Sequence, residues 1–347
     1  MNICFIMYPW ERVEAQTDTT LRIIHEAYIR RHNVGIMIPS NLTIRNNDVF
    51  GFVKMIQETE RLQKDPVKFH KQVKFREEML PMSGFDVIFL RANPPVDVTM
   101  LNFLDAIKDE VLIINDVDGI RKANNKLYTA AMFHGKEGVI PETHVSKNKD
   151  YLKRVIADSK SDKMILKPLD GYGGSGVILL ERKAAASVSS LLDFYINGQN
   201  RTQKYVIVQE YVEGAEQGDV RILMLNGKPI GAMKRVPQKD EARSNIHTGG
   251  TAVKHSLTKQ EQRICELIGP RLVADGLYFV GLDVINGKLI EVNVLSPGGI
   301  TRINKLNRTK LQVKVIDFVE DIVIAKESAL NRKLAHKLTV KNAKVRA

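Results

Sequence analysis

Lys167 closes an apolar run and is followed by Asp170-Gly171-Tyr172-Gly173-Gly174-Ser175-Gly176. Glycines let backbone N–H groups approach a phosphate, and a lysine adds fixed positive charge, so the segment suits a polyphosphate. It is not a Gly-x-x-x-x-Gly-Lys-Ser/Thr loop, because the lysine precedes the glycines and no Gly-Lys-Ser/Thr closes it. Far downstream, Glu291-Val292-Asn293 sets a carboxylate and an amide two residues apart, on one face of a strand. Asp283 lies across an Asn286-Gly287 turn from them. Hard oxygen ligands of this kind suit magnesium, whose shell is completed by substrate phosphates. Together the two halves imply an enzyme that consumes ATP.

The turn sets a condition on that metal group. A strict two-residue hairpin pairs Asp283 with Ile290 and leaves Glu291 on the opposite face. The oxygen groups share a face only if the loop is odd or a strand is bulged, and such an irregularity is expected here. Gln209-Glu210-Tyr211-Val212 ends another apolar strand. Its backbone suits an adenine edge, with a nearby carboxylate for the ribose. Arg221, Arg235 and Arg243 lie on or beside strands, and arginine grips carboxylate and phosphate bidentately, so they support an anion-rich pocket. The eight histidines form no metal-ligand spacing, and no Gly-x-Ser-x-Gly elbow or other covalent nucleophile is evident.

The elements that must hold these groups alternate early in the chain. Ile3–Met7, Val34–Ile38, Asp86–Leu90 and Val111–Ile114 read as buried strands, with helices over Thr19–His32 and Met100–Asp109. This pattern predicts a parallel α/β domain ending near residue 120. The charge-dense, weakly periodic stretch from Lys54 to Glu78 predicts an exposed insertion with some helix. Strands Lys163–Lys167 and Val177–Glu181 flank the glycine loop, followed by a helix over Val188–Tyr195 and a strand over Tyr205–Glu210, as in a small α+β subdomain. Asp219–Leu225, Pro229–Val236, Tyr278–Ile285 and Leu289–Val292 make the last part strand-rich, with hairpins at Asn226-Gly227 and Asn286-Gly287. Arg235 to Ala252 reads as a mobile loop.

A chain of 347 residues with 44% hydrophobic composition supports two or three cores. No apolar run is long enough to cross a bilayer, and the apolar start lacks a preceding basic segment, so it reads as a strand and not a signal peptide. Cys4 and Cys265, widely separated, give no disulfide framework and fit a reducing cytoplasm. Much of the net charge of +12 sits in the tail, where Arg332, Lys333, Lys337, Lys341, Lys344 and Arg346 follow one another without an acidic residue. That tail reads as a solvated or frayed end, RNA contact being the alternative. No zinc pattern or aromatic-basic motif supports a nucleic-acid partner, and no membrane partner is expected.

Ile165-Leu166-Lys167-Pro168-Leu169-Asp170-Gly171-Tyr172-Gly173-Gly174 closely resembles the ATP-grasp loop of bacterial glutathione synthetases. Arg91-x-x-Pro94-Pro95-x-Asp97, Asn125-Lys126-Leu127, Gly218-Asp219-x-Arg221, Arg235-Val236-Pro237, Phe279-Val280-Gly281-Leu282-Asp283 and Glu291-Val292-Asn293-x-x-Ser296-Pro297 are similar to further segments of that family, in order over roughly residues 1 to 325. The resemblance implies a three-part α/β architecture: an N-terminal parallel α/β (pre-ATP-grasp) domain over 1–122, a small central α+β lid over 123–208 and a strand-rich C-terminal domain over 209–328, before a basic tail at 329–347. It implies ATP contacts from Lys126, Lys167, Gly171, Gly173, Gly174, Gln209, Glu210, Tyr211, Val212 and Asp219. It implies magnesium, with manganese as a substitute, on Asp283, Glu291 and Asn293. Arg221 and Arg235 would act on the transferring phosphate or substrate carboxylate. Asp18, Thr19, Arg91, Asn245, Gly298 and Gly299 would face the peptide and amino-acid substrates.

The implied activity is ATP-dependent joining of γ-glutamylcysteine to glycine, by a cytoplasmic homodimer or homotetramer. The alternatives are an ATP-grasp ligase that extends another peptide or a protein C-terminus, and a non-catalytic nucleotide-binding protein. Two positions depart from the family pattern: Gly298-Gly299-Ile300 stands where Thr-Cys-Ile is common, and Asn93 where an aspartate is usual. Both bear on the substrates and leave the ATP residues intact.

Overall fold

Apolar runs near the N-terminus become parallel strands covered on both faces, the arrangement that near-continuous hydrophobic strands require. The computed structural model describes residues 1–131, 138–171, 174–181, 185–197, 203–237 and 250–343. The chain divides into two units: Met1–Arg91 with Thr99–Ile114 and Lys310–Ala347, and Ala92–Val98 with Asn115–Thr309.

The first unit is built on β1 (Asn2–Met7), α1 (Thr19–Ile29), β2 (Asn33–Met37), β3 (Leu42–Arg45), β4 (Asp48–Ile56), α2 (Pro66–Gln72), β5 (Phe75–Pro81), β6 (Val87–Arg91), α3 (Val98–Asp105) and β7 (Leu112–Ile114). Its sheet runs β3-β4-β2-β1-β6-β7, with β5 paired to β4. The β2-β1-β6-β7 part is parallel, as the alternation predicts. The order reverses at β1, which has β2 on one side and β6 on the other. Ligand sites in such sheets gather at the carboxyl ends of the strands beside that reversal. The stretch from Lys54 to Glu78 contains helix α2, but its ends are strand. The β4–β5 ladder extends from Phe50–Pro81 to Ile56–Phe75. Its helical signal is weak because β5 is an outer strand, where Arg76, Glu77 and Glu78 are tolerated in solvent.

The C-terminal helix Leu311–Ala343 belongs to this first unit, whereas the resemblance placed residues up to 328 with the strand-rich part. The reason is an apolar face: Leu311, Val315, Ile316, Val319 and Val323 are buried as the helix packs along α1. Arg30 fixes the register, donating to Glu26, Asp317 and Glu320 at 2.9, 2.8 and 2.7 Å.

The second unit comprises α4 (Val117–Ala123), α5 (Leu127–Ala131), β8 (Thr143–Ser146), α6 (Lys149–Asp158), β9 (Lys163–Pro168), β10 (Ile178–Glu181), α7 (Ala185–Asn197), β11 (Val206–Glu210), β12 (Asp219–Leu225), β13 (Lys228–Val236), β14 (Thr251–Lys254), α8 (Lys259–Ala274), β15 (Phe279–Ile285), β16 (Lys288–Asn293) and α9 (Ile300–Asn307). An antiparallel sheet β10-β9-β11-β8 packs Leu166 and Val208 on Leu152 of α6 and Leu192 of α7. A second sheet, β14-β13-β12-β15-β16, packs Ile222, Leu282 and Leu289 on Ile264 and Ile268 of α8. Thr258 and Glu261 start α8 with a reciprocal capping box.

The pentapeptide Asn-Gly-Lys-x-Ile occurs at 226–230 and again at 286–290. Both Asn-Gly pairs have positive φ, 47° and 74° at 226–227 and 44° and 71° at 286–287, which makes tight hairpins of the primed type. Each hairpin then slips by one residue at its isoleucine. Leu223 pairs with Gly231 while Met224 pairs with Pro229, so Ile230 is extra. Asp283 pairs with Glu291 while Val284 pairs with Leu289, so Ile290 is extra. The irregularity expected in the second hairpin is therefore a one-residue bulge in β16.

Candidate active site

The bulge at Ile290 turns Glu291 to the same face as Asp283, directly across the ladder. Asn293 follows two residues on, and its Nδ2 donates to Asp283 Oδ2 at 3.1 Å. The bulge at Ile230 does the same for β12 and β13. A regular hairpin would oppose Asp219 to Lys234, but the slip opposes it to Arg235. Arg221 lies across from Asp283 on β15. One face of four strands thus carries Arg235, Asp219, Arg221, Asp283 and Glu291, while the other carries the apolar core.

The arginines and aspartates on that face form a buried network. Arg235 Nε donates to Asp219 Oδ1 at 2.8 Å, and Nη2 reaches both Asp219 Oδ2 and Asp283 Oδ1, the latter at 2.9 Å. Arg221 grips Asp283 with Nε and Nη2 at 2.5 and 3.0 Å, and its Nη1 donates to the Gly298 carbonyl at 3.4 Å. Burial alone would push the Asp283 carboxyl up, but Arg221 and Arg235 outweigh it and hold the group down at about 2. Two cations and two anions leave the network neutral overall. The structure therefore sets Arg221 and Arg235 against carboxylates of the chain itself, and Asp219 against Arg235. The sequence signal for this was absent, because Asp219–Arg235 depends on the Ile230 slip and Arg221–Asp283 on the β12–β15 register.

Two lysines stand beside Glu291. Lys126, just before α5, has Nζ 3.3 Å from Glu291 Oε1 and also donates to the Gly171 carbonyl. Lys167 is buried on β9, and its Nζ donates to Gln209 Oε1 at 2.8 Å. Gln209 Nε2 in turn donates to Thr143 Oγ1 at 2.7 Å, so the amide is fixed from both ends. Burial pushes the Lys167 ammonium down to about 8; Glu291 pulls it back up and Lys126 adds to the depression. Lys126 and Lys167 line a recess with Ile140, Ile207 and Ile290, and Glu291 stands beside Lys126. A cation pair beside an apolar wall suits a nucleotide, with phosphates on the lysines and the base against the isoleucines.

Glu210 ends β11, where Lys288 Nζ at 2.9 Å holds its carboxyl below the usual range. Tyr211 donates its hydroxyl to Glu216, and Val212 is buried, so these two can offer the recess only backbone. Gly174 has φ of 76°, open to glycine and strained for other residues. Gly299, with φ of 136°, precedes α9, and Gly298 beside it has open space where a side chain would stand. Gly173, Arg243 and Asn245 lie outside the described residues. Thr143 and Lys288 were not legible in the sequence. Thr143 meets Gln209 only through β8–β11 pairing, and Lys288 meets Glu210 only through folding.

Asp18, Thr19 and Arg91 lie in the first unit. Asp18 caps α1 through Leu21 N at 2.7 Å and accepts the Tyr8 hydroxyl. Arg91 ends β6 at the carboxyl edge beside β1 and donates to Thr20 Oγ1 at 3.0 Å. Burial lowers its guanidinium to about 10. Thr19 is buried, and Tyr8 and Thr20 are the neighbours that the sequence did not single out.

The donor set of Asp283, Glu291 and Asn293 is all oxygen, as a hard divalent cation requires. Glu291 is accessible, with 31% of its side chain exposed. Asp283 is different: both its oxygens already accept from Arg221, Arg235 or Asn293. Glu291 and Asn293 thus offer oxygen donors on one face, with Glu291 Oε1 shared with Lys126 at 3.3 Å, and Asp283 would have to release an arginine to join them.

Residues 1–121 match a family model described as the prokaryotic glutathione synthetase N-terminal domain, and residues 125–308 match the prokaryotic glutathione synthetase ATP-grasp domain. Glutathione synthetase of Thermosynechococcus vestitus is 35% identical over 91% of this chain and 98% of its own length. That of Gloeobacter violaceus is 35% identical over 92% and 96%. Among solved structures, D-cycloserine synthetase DcsG superposes with a TM-score of 0.63 at 14% identity, covering 93% of this chain and 99% of that one. The ATP-grasp ligase PsnB with its minimal precursor gives 0.60 at 12% identity, over 92% and 99%. At these identities the structural likeness establishes the fold alone.

Proposed function

The chain belongs to the prokaryotic glutathione synthetase family, and from that premise we propose how its residues perform the reaction. It is an ATP-dependent ligase of glutathione synthesis, joining the cysteine carboxylate of γ-glutamylcysteine to the amine of glycine. Family members use ATP and a divalent metal. Here the proposed magnesium holders are Glu291 and Asn293, with Asp283 joining them. The ion's chemistry is to neutralise phosphate charge as the γ-phosphoryl group moves.

The observation that carries this reading is the bulge-set face. It places Glu291 beside Asp283 and within 3.3 Å of Lys126. Lys126 and Lys167 would receive the β- and γ-phosphates. Gln209, braced by Thr143, keeps the Lys167 ammonium aimed into the recess. Ile140, Ile207 and Ile290 face the purine. The backbone of Glu210–Val212 offers its edge hydrogen bonds. The carboxylate oxygen of γ-glutamylcysteine attacks the γ-phosphorus, ADP leaves, and an acyl phosphate forms. The glycine amine then attacks the acyl carbon, the C–O bond to phosphate breaks, and the amine proton is lost. Arg221 and Arg235 neutralise the departing phosphate after exchanging an aspartate oxygen for it. Buried Arg91, with Asp18 and Thr19, holds the peptide substrate in the first unit. The setting is the reducing cytoplasm, where both buried thiols persist.

The test is phosphate release with γ-glutamylcysteine and a panel of amine acceptors. Glycine should give the highest kcat/KM. Equal or higher turnover with a longer peptide or protein C-terminus in place of γ-glutamylcysteine would refute this substrate assignment.

A further inference from the structure

The C-terminal helix α10 (Leu311–Ala343) changes character halfway. Up to Val323 it packs along α1; from Ile324 to Ala343 every residue is exposed. The family models match residues 1–121 and 125–308, so neither covers this half of the helix, and its residue pattern is ordered. Leu330, Leu334 and Leu338 repeat at four-residue spacing and are 56%, 49% and 59% exposed. Lys333, Lys337 and Lys341 repeat at the same spacing, each three residues beyond a leucine. On a helix, i and i+3 are neighbours, so the lysines form a row directly alongside the leucine row. The leucine row is about 12 Å long at the helical rise. Arg332 and His336 add to the charge, and residues 328–343 contain no acidic side chain.

We propose that this half of α10 is a docking helix for an anionic lipid surface. Leucines three across would enter the boundary between headgroups and acyl chains, and the lysine stems would carry their ammonium groups to the lipid phosphates. Pairing with a second copy brings like-charged lysine rows together beside the leucines. RNA satisfies the lysines and leaves the leucines in water. An anionic bilayer surface accommodates both rows at once. The helix does not span: no described helix is long and apolar enough to cross a membrane. The proposal departs from the expectation of no membrane partner and does not depend on the substrates of the active site.

The full chain is tested by co-sedimentation with vesicles of phosphatidylcholine alone or mixed with phosphatidylserine. Binding is expected to the mixed vesicles only and to weaken with salt. Reversal of the row, Lys333→Glu, Lys337→Glu and Lys341→Glu together, should weaken partitioning by about a hundredfold. Leu330→Asn, Leu334→Asn and Leu338→Asn together should abolish it. Both variants should keep wild-type helical circular dichroism and ligase turnover. Binding to neutral vesicles as strong as to anionic ones, or no binding to either, overturns the proposal. So does tighter binding to an RNA duplex than to mixed vesicles, or a change of oligomeric state in the leucine variant.

Discussion

ATP binding should take up a proton through Lys167, and the amount follows from its burial. In the free protein the ammonium is depressed from 10.5 to about 8. About half of it is therefore neutral at pH 8 and about nine-tenths at pH 9. A phosphate placed against Nζ favours the charged form and moves the group back toward its ordinary value. Nucleotide binding should then absorb about 0.5 proton at pH 8 and about 0.9 at pH 9, against less than about 0.1 at pH 7. The dissociation constant for ATP should rise about tenfold between pH 7 and pH 9. Titration calorimetry in two buffers of different ionisation enthalpy measures the uptake directly, with Lys167→Met as the control. A related effect acts on folding. Between about 8 and 10.5 the unfolded chain holds the proton that the folded one has released, so this lysine's penalty on stability eases as pH rises through that window. Equal proton uptake in wild type and Lys167→Met at pH 9, or none in either, would refute the placement of Lys167 against the phosphates.

Asp283→Asn should destabilise the free protein by about 3 kcal/mol or more, because Arg221 and Arg235 are left with a buried charge unmatched. Urea unfolding at pH 7 reads this, and a loss under about 0.5 kcal/mol would show that the network is not what the buried pairs suggest. Since the Asp283 carboxyl is held down at about 2, its contribution is full above the ordinary carboxylate value of 3.8 and is lost progressively as pH falls from there through about 2. Glu291→Gln should lower kcat by about a hundredfold or more with the fold retained, since the change keeps the volume and removes one charge. The same kcat and the same magnesium dependence as wild type would remove Glu291 from the metal.

The hairpins show where sequence reading succeeds and where it stops. Asn226-Gly227 and Asn286-Gly287 announce their turns through positive φ, and the need to bring Asp283 and Glu291 to one face implied a bulge. The first hairpin carries the same kind of slip, but nothing in the chemistry around Ile230 demanded it. Asp219 and Arg235 therefore could not be paired in advance, nor could Arg221 be matched to Asp283, which it grips in the free protein. Strand alternation gave the parallel β2-β1-β6-β7 core because both faces are buried. Over 54–78 the expected exposed stretch with some helix holds in α2, but β5 was missed because it is an outer strand with charges in solvent. Contacts such as Gln209–Thr143 and Glu210–Lys288 join distant segments, and no local pattern encodes them. In the tail the basic residues were evident, but the ordered row of leucines emerges only once the segment is known to continue α10.

The central claim is that the lysine pair and the Glu291 face activate a carboxylate with ATP. The most direct measurement follows ¹⁸O from the cysteine carboxylate of labelled γ-glutamylcysteine during turnover with glycine. The account predicts one ¹⁸O in each inorganic phosphate released. Phosphate free of label, with glutathione still forming, would contradict it.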